Sequence, residues 1–214
     1  MKIAVLANTI LKEELLLQGI KDDTELLWAN DITELTSYNN VDAYIDLLFE
    51  NEDQRPDSYR VQLLKKLQPI VFVNSVIASE ISLPENLIRI NGWPTFLKRS
   101  LIEASSQNEK LKTKAEEVFL CFNKKIEWTP DIPGFITARV IAMIINEAYF
   151  ALNEKVSTKE EIDLAMKLGA NYPYGPFEWS KKIGLKNIYA LLAELYKTNS
   201  RYEPAALLKK ESLL

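Results

Sequence analysis

The stretch IPGFITARVIAMIINEAYFALNE, residues 132–154, marks the point where the character of the chain changes. Its apolar residues recur at the spacing of a wide helical face, at positions 136, 140, 141, 144, 145, 148 and 152. Pro133 is expected at the start of this helix, where its missing N–H costs no hydrogen bond. Before this stretch, short apolar runs alternate with helical patterns, and after it the pattern is helical throughout.

The segments that follow residue 154 carry the punctuation of separate helices. One segment opens with a predicted capping box of Ser157 and Glu160 and reaches Gly169 as a left-handed C-cap. Gly175-Pro176 then turns the chain sharply into the next helix. The predicted helices are residues 157–169, 176–184 and 185–198. We therefore predict an all-helical domain over residues 131–214.

The first 130 residues show short apolar runs separated by helical patterns. The predicted strands are residues 2–7, 24–30, 41–49, 69–75, 86–92, 118–123 (VFLCFN) and 124–129 (KKIEWT), and the predicted helices are residues 11–20, 58–68 and 105–117. Strands that alternate with helices favour a mostly parallel sheet covered by helices. We therefore predict an α/β domain over residues 1–130, with a polar surface loop at residues 51–58.

The composition narrows the class of protein. The 214 residues are 47% hydrophobic and 26% charged, with a net charge of −4, so concentrated basic patches for nucleic acid are not expected. No apolar run approaches the roughly 18 residues that span a bilayer. The start, MKIAVLANT, is typical of a buried strand rather than a signal peptide. The single cysteine, Cys121, lies in an apolar run and fits an inert thiol in the cytoplasm.

The chain contains no histidine. Histidine is the side chain whose ordinary pKa lies nearest neutrality, and it is the usual acid–base catalyst. Any proton transfer must therefore use a carboxylate, a lysine or a tyrosine with a shifted pKa. A zinc site is not expected either, because zinc prefers histidine and cysteine ligands, and we predict no metal.

Several motifs of the helical half occur in a specific order and spacing. They are PGFITAR (133–139), NEA (146–148), EEIDLAMKLGANYPYGPFEW (160–179), IGL (183–185) and RYEPAALLKK (201–210). In this respect the helical half resembles the C-terminal domain of the 3-hydroxyacyl-CoA dehydrogenases. The resemblance implies a shortened Rossmann-like domain before it, a homodimer formed through the helical domain, and a role in fatty-acid or hydroxybutyrate metabolism.

The resemblance also implies NAD as the cofactor of the first domain. The family has Gly-x-Gly-x-x-Gly after its first strand, and those glycines fall on Ala7, Thr9 and Lys12. Glycines there give a tight turn, close approach of the pyrophosphate and helix–strand packing. The acid that holds the adenosine ribose falls at Asn30, with Asp31 beside it. The family has a helical insertion between the second and third strands that helps to cover the acyl-CoA. The chain between these strands is shorter here, so the resemblance predicts a more open site.

The catalytic residues of the family fall on a partly altered set. The family's His-Phe-Phe-Asn-Pro stretch and its later Leu-Val-Glu align without gaps to NGWPTFLKRSLIE, residues 91–103. The glutamate that orients the catalytic base is retained as Glu103, whereas the histidine position is Asn91. Asparagine forms hydrogen bonds but does not accept a proton at neutral pH.

Two further polar positions of the family are changed. Its Ser-Asn-Thr-Ser loop falls on residues 74–77, where the first two residues are exchanged to Asn74 and Ser75. Its helix PGFxxNR carries an asparagine that faces the active site, and that position is Ala138. Altered polar roles at these positions favour impaired or lost catalysis.

Three functions remain open at this point. The first is a working NAD-dependent 3-hydroxyacyl-CoA dehydrogenase. The second is a non-catalytic relative that binds an acyl-CoA-type small molecule or serves as a dimerising scaffold. The third is another dehydrogenase or reductase in which Lys98, Lys12 or Tyr44 donates the proton.

Overall fold

The computed structural model describes residues 1–50, 58–77 and 83–214. These residues form two compact units, Met1–Phe135 and Ile136–Leu214. All of the predicted polar loop at 51–58 except Ser58 lies outside the described residues.

The first unit is built on a seven-stranded sheet. Its strands are β1 (Lys2–Leu6), β2 (Glu25–Ala29), β3 (Ala43–Asp46), β4 (Val71–Asn74), β5 (Leu87–Ile90), β6 (Leu101–Ser105) and β7 (Lys125–Trp128). They lie in the order β2-β1-β3-β4-β5-β6-β7. Strands β1 to β5 are parallel, β6 runs antiparallel to β5, and β7 runs parallel to β6. The predicted mostly parallel sheet is therefore confirmed.

The sheet carries an apolar layer on each face. Its helices are α1 (Thr9–Leu16), α2 (Ile32–Ser37), α3 (Ser58–Leu64) and α4 (Lys112–Leu120). Along β1, Ile3 and Val5 pack into the layer that includes residues of α1 and α4, whereas Ala4 and Leu6 pack into the layer with residues of α2 and α3. A strand that is buried on both faces needs apolar residues at every position. This requirement explains the continuous apolar runs that predicted the strands.

The strand order places a switch point between β1 and β3. From β1 the chain proceeds to β2 on one side of it and then returns to β3 on the other side. The carboxyl ends of such neighbouring strands open a crevice in which ligands bind. The dinucleotide-binding order 3-2-1-4-5-6 has another strand beyond the second one, but within the described residues β2 lies at the end of the sheet. Only the six-residue helix α2 separates β2 from β3.

Predictions between residues 101 and 123 are wrong in three places. The strand β6 lies where no strand was predicted, the helix predicted over 105–117 starts at Lys112, and VFLCFN is the end of α4 and a turn instead of a strand. Ala115, Val118, Phe119 and Phe122 all lie in one core layer. Their spacing is that of a helical face. The run was predicted as a strand because it is short, apolar and rich in aromatic residues.

The second unit contains only helices among its regular elements. They are α5 (Thr137–Asn153), α6 (Lys159–Ala170), α7 (Pro176–Ile183), α8 (Leu185–Tyr196) and α9 (Ala206–Ser212). Helix α5 buries a stripe that includes Ile141, Ile145 and Tyr149. The predicted all-α second half is therefore confirmed.

The ends of two of these helices differ from the prediction. Helix α5 begins after Pro133, because Gly134 and Phe135 have φ values of 82° and 47° and a right-handed helix cannot pass through them. The capping box of α6 uses Thr158 and Glu161 rather than Ser157 and Glu160.

The other end of α6 is also shifted. The helix continues through Gly169 to Ala170, and its C-cap is Asn171 with a φ of 54°. Asparagine tolerates the left-handed region better than most residues, so it takes the position that glycine often occupies.

Candidate active site

The residues proposed for catalysis converge where β5 and β6 pair. Asn91 directly follows β5, and Glu103 lies in the middle of β6. Because β6 runs antiparallel to β5, the register places the two residues opposite each other. The Asn91 backbone N–H donates to the Glu103 carbonyl at 2.9 Å. The structure therefore brings together Asn91 and Glu103, the two residues that the sequence analysis predicted for one site.

The side chains of this pair are also joined. Asn91 Nδ2 donates to Glu103 Oε2 at 2.8 Å, and the residues are 0% and 3% exposed. An ionised carboxylate has no hydrogen to donate, so the amide presents its NH₂ group to Glu103. The Asn91 Oδ1 atom then points elsewhere and is buried without a hydrogen-bond partner.

The charge of Glu103 acts on a neighbouring guanidinium. Burial lowers the pKa of Arg99, and the nearby Glu103 carboxylate acts in the opposite direction. Asn91 has neither charge nor a titratable proton. The pair is therefore a carboxylate bound to an amide.

Asn74 joins three strands. Its Nδ2 donates to the Leu47 carbonyl at 3.2 Å, and its Oδ1 accepts the Gly92 N–H at 2.9 Å. A Cβ atom on Gly92 would lie 3.0 Å from the Asn74 side chain, so glycine permits this close approach. The amide of Asn74 therefore holds β3, β4 and β5 in place beside the candidate site.

The loop after β4 is organised around a carboxylate that sequence reasoning missed. The Ser75 hydroxyl and the backbone N–H groups of Val76 and Ile77 all donate to Glu50, at 3.1, 2.7 and 2.8 Å. Glu50 follows an apolar run, but no local pattern connects it to residues about 25 positions later. The donors of this loop are thus already engaged by the protein itself.

A buried arginine fixes the other side of the same loop. Arg89 donates through Nε to the Ser75 carbonyl at 2.9 Å and through Nη2 to the Val76 carbonyl at 3.3 Å. It also forms an ion pair with Asp131 and stacks 5.2 Å from the ring centre of Phe135. Sequence reasoning missed Arg89 as well, because its partners are joined to it only by the tertiary fold.

The position of the predicted pyrophosphate cradle lies between β1 and α1. Ala7 and Thr9 flank Asn8, and the Asn8 side chain accepts the Leu11 N–H at 3.0 Å as the N-cap of α1. Lys12 Nζ lies 4.2 Å from the ring centre of Trp28, a cation–π contact. One donor of the helix N-terminus is therefore already used by the helix cap.

The predicted ribose-binding residues cap α2. Asp31 Oδ1 accepts the Glu34 N–H at 2.8 Å, and Asn30 donates through both its backbone N–H and Nδ2 to Glu34 Oε2 at 2.8 Å. The Asn30 backbone and side-chain hydrogen bonds, together with the Tyr38 hydroxyl, lower the pKa of Glu34. Both predicted residues thus serve the local structure of α2.

A buried ion pair lies at the carboxyl end of β3. Arg60 donates through Nε to Asp46 Oδ2 at 2.6 Å and through Nη2 to Oδ1 at 2.5 Å. Asp46 is 0% exposed, and burial raises its pKa while Arg60 opposes the rise. The pair lies on the β3 side of the switch point, and nothing in the local sequence pattern indicated it.

The remaining predicted residues lie in different surroundings. Ala138 is fully buried in α5 of the second unit. Tyr44 donates its hydroxyl to the Tyr38 carbonyl at 2.7 Å, and burial raises its pKa, which disfavours proton release at neutral pH. Lys98 is half-buried in the segment between β5 and β6.

The described residues offer neither a metal site nor a membrane-spanning helix. The described residues contain no group of three or more metal-ligating side chains of the His, Cys, Asp or Glu types. None of the helices described is long and apolar enough to cross a bilayer. Cys121 is buried, as expected from its apolar run.

A parallel sheet with a switch point, followed by a helical unit, is the architecture of two-domain dehydrogenases with a Rossmann-like first domain. The family described as 3-hydroxyacyl-CoA dehydrogenase, C-terminal domain, matches residues 134–212. The 3-hydroxyadipyl-CoA dehydrogenase of Escherichia coli K12 is 45% identical over 86 residues, which are 39% of this chain and 18% of that protein. Residues 134–212 belong to the 3-hydroxyacyl-CoA dehydrogenase family.

Relatives that match more of the chain agree with this assignment. The 3-hydroxybutyryl-CoA dehydrogenase of Bradyrhizobium diazoefficiens is 30% identical over 185 residues, which cover 78% of this chain and 63% of that protein. The crystal structure of (S)-3-hydroxybutyryl-CoA dehydrogenase from Ralstonia eutropha superposes with a TM-score of 0.71 at 20% identity, over 98% of this chain and 92% of that one. The chain thus spans less than two thirds of the length of the first two relatives.

Proposed function

We propose that this chain is a 3-hydroxyacyl-CoA dehydrogenase-like protein that binds a 3-hydroxyacyl thioester but has lost, or retains only weakly, the NAD-linked oxidation. The observation that carries the proposal is the Asn91–Glu103 pair. The carboxylate is in place 2.8 Å from the side chain of residue 91, but that side chain cannot accept a proton. Removal of a general base lowers a rate roughly 10²- to 10⁴-fold.

The cofactor crevice supports the same proposal, because its residues do not fit NAD as the family binds it. Thr9 places a branched side chain where the pyrophosphate must approach closely. The Asn8 side chain occupies one N–H of the α1 N-terminus, and Asp31 accepts the N–H of Glu34. Within the described residues no strand covers the outer side of β2. We therefore propose that NAD affinity is weak or lost.

Retention of the ligand site is supported by the parts that remain. Glu103 keeps its buried partner, the loop after β4 is fixed by Glu50 and Arg89, and the helical unit keeps its motifs in order. The names of relatives specify 3-hydroxyadipyl-CoA and 3-hydroxybutyryl-CoA. A 3-hydroxyacyl thioester in the cytoplasm is the corresponding proposal for this chain.

A dimerising scaffold is the second candidate. One face of α6 exposes Leu164 and Leu168, which are 53% and 77% exposed and lie one helical turn apart. Apolar residues exposed together support an interaction surface. A monomer by light scattering at micromolar concentration contradicts this candidate.

The proposed loss of oxidation is tested with purified protein, NAD and 3-hydroxybutyryl-CoA. We expect NADH formation no faster than the background of the assay, and no heat of NADH binding at micromolar protein. Turnover within the usual enzymic range of about 1–10³ s⁻¹ contradicts the proposal.

Replacement Asn91→His is expected to create a titrating imidazole beside Glu103. Burial of position 91 disfavours the charged imidazolium and the Glu103 carboxylate favours it. We expect the carboxylate to dominate, so the pKa should rise above the ordinary value of about 6.5. Because the chain has no other histidine, proton NMR reports this ring alone. The stabilisation of the folded state that comes from a raised histidine pKa is fully present below a pH of about 6.5. It is lost as the pH rises through the raised pKa.

The control for this replacement is Asn91→Leu, which cannot titrate. The difference in unfolding free energy between the histidine and leucine variants should be more favourable to histidine at pH 5.5 than at pH 8.5. A histidine pKa at or below about 6.5 contradicts the prediction that the Glu103 carboxylate outweighs burial at position 91.

A further inference from the structure

A cavity of about 680 Å³ opens where the strands β4 and β5 begin. Asn86, which lines it, directly precedes β5, whereas Asn91 directly follows β5. The cavity therefore lies at the opposite end of the sheet from the candidate active site. Its volume lies within the range of roughly 300–1,000 Å³ that small-molecule sites occupy.

The lining of this cavity has no net charge. Among the described residues that line it, Lys65 and Glu85 are the charged ones, and their charges are opposite. A phosphate group is normally bound by several cationic side chains or by converging backbone N–H groups. One lysine opposed by one glutamate does not provide such a site, so the lining favours a ligand without phosphate or carboxylate groups.

Two carboxamides of the lining present oxygen atoms to a ligand. Asn86 Nδ2 donates to the Leu64 and Leu67 carbonyls at 3.4 and 3.0 Å, which leaves Asn86 Oδ1 as an acceptor. Gln107 Nε2 donates to Asp131 Oδ2 at 3.2 Å, which leaves Gln107 Oε1 as a second acceptor. Hydrogen bonds within the protein thus set the orientation of both amides.

Two further carboxamides supply donors. Asn108 Oδ1 accepts the Lys110 N–H at 3.1 Å, so the Nδ2 group of Asn108 remains as a donor. Gln68 is exposed at the mouth of the cavity, and its amide can both donate and accept. A ligand that matches this lining brings an amino group for the two oxygen atoms and an acceptor for the donors.

The rest of the lining is apolar. Pro69 and Pro84 contribute rigid rings, and Leu83 and Leu111 add half-buried apolar side chains. Apolar side chains of this kind pack against the faces of a flat base. The cavity thus combines apolar surface for a planar ring with carboxamides for its polar edge.

We infer that this cavity binds an aminopurine nucleoside such as adenosine. The purine amino group donates to Asn86 Oδ1 and Gln107 Oε1, and a ring nitrogen accepts from the carboxamide donors. Asparagine and glutamine are the side chains that pair with the amino group and ring nitrogen of adenine. The inference goes beyond the proposed thioester function and does not depend on it. Binding involves hydrogen bonds and packing only.

The inference is tested by calorimetric titration of the full chain with adenosine, inosine, AMP and ribose. Inosine replaces the amino group with an oxygen, which faces the two acceptors of the cavity. We expect adenosine to bind with a Kd below about 1 mM. It should bind about tenfold or more tightly than inosine, because inosine leaves the acceptors unpaired. AMP should bind no more tightly than adenosine.

Two variants locate the nucleoside. Gln68→Ala and Gln107→Ala each remove one carboxamide from an exposed position of the lining. Each should weaken adenosine binding about threefold to tenfold, the range of one net hydrogen bond. Gln62→Ala is the matched control, because Gln62 is exposed on α3 and does not line the cavity. It should leave adenosine affinity unchanged. Circular dichroism establishes that each variant is folded before titration.

Several results would overturn the inference without affecting thioester binding. Adenosine that does not bind at millimolar concentration overturns it, and so does equal affinity for adenosine and inosine. AMP that binds about tenfold more tightly than adenosine shows recognition of phosphate, and ribose that binds as tightly as adenosine shows recognition of a sugar. Adenosine affinity that is unchanged in both folded variants places the nucleoside outside this cavity and overturns the inference as well.

Discussion

Replacement Arg60→Met is expected to lower the unfolding free energy by about 3–5 kcal/mol at pH 7. Arg60 forms two hydrogen bonds with Asp46, whose side chain is completely buried. Methionine fills much of the same volume but leaves the carboxylate without a counter-charge. The lower unfolding free energy comes from the buried charge that is left without a partner. The net contribution of a buried ion pair to stability is itself often small.

The pH dependence of this variant follows from the same carboxylate. Burial raises the pKa of Asp46 above its ordinary value of 3.8 even with Arg60 present, and removal of Arg60 raises it further. A group with a raised folded-state pKa gains stability as the pH falls through that value toward 3.8. The deficit of the variant should therefore be largest at neutral pH and should shrink on acidification.

The double variant Asp46→Asn, Arg60→Met provides the control. Without the charge at position 46, most of the deficit at pH 7 should disappear, and so should its dependence on pH. Urea denaturation at pH 7 and pH 5 measures both effects. A single variant that loses less than about 1 kcal/mol at pH 7 would contradict a charged Asp46 in the folded protein.

Replacement Gly175→Ala is expected to cost about 3 kcal/mol, at the upper end of the usual range for overpacking. A Cβ atom at this position would lie 2.2 Å from Asp163 Oδ1 and 2.4 Å from Asp163 Cα. Backbone as well as side chain must therefore move. Asp163 also accepts the N–H groups of Phe177 and Glu178 at 2.8 and 3.1 Å, so displacement removes the cap of α7.

Gly169→Ala is the matched control for this glycine. Nothing lies within 4 Å of a Cβ atom built at Gly169, which is exposed within α6. Alanine should stabilise this helix by about 0.5–1 kcal/mol. Hydrogen exchange of peptides from residues 159–183 compares the variants, and protection in Gly175→Ala equal to that of the parent chain contradicts the predicted clash.

Much of the fold could be predicted because its elements are encoded locally. The strands that are buried on both faces appear as continuous apolar runs, and α5 appears as an apolar stripe. The predicted cap of α6 is wrong by one residue. The sequence STKEE contains two possible capping boxes, Ser157 with Glu160 and Thr158 with Glu161. Only the structure selects Thr158 with Glu161. Strand β6 was missed because its place is set by pairing with β5 and β7.

The candidate site was predictable only where a motif covers it. The resemblance assigned Asn91 and Glu103 to one site, and the structure joins them. Glu50, Arg89 and Arg60 carry charges whose partners lie 14 to 42 residues away. Such contacts depend on strand order, and no periodicity in the sequence records them. The unsatisfied oxygen of Asn91 likewise follows from the hydrogen bond of its amide to Glu103, a tertiary contact.

The position of β2 at the end of the sheet has a consequence for self-association. An open strand edge is a template for pairing with the same edge of another copy, and such pairing leads to aggregation. Here the Tyr38 hydroxyl donates to the Trp28 carbonyl at 3.1 Å, and Glu25 places a charge at the start of the strand, paired with Lys2 at 3.0 Å. Within the described residues these two contacts lie at β2, and we expect them to disfavour the addition of a further strand.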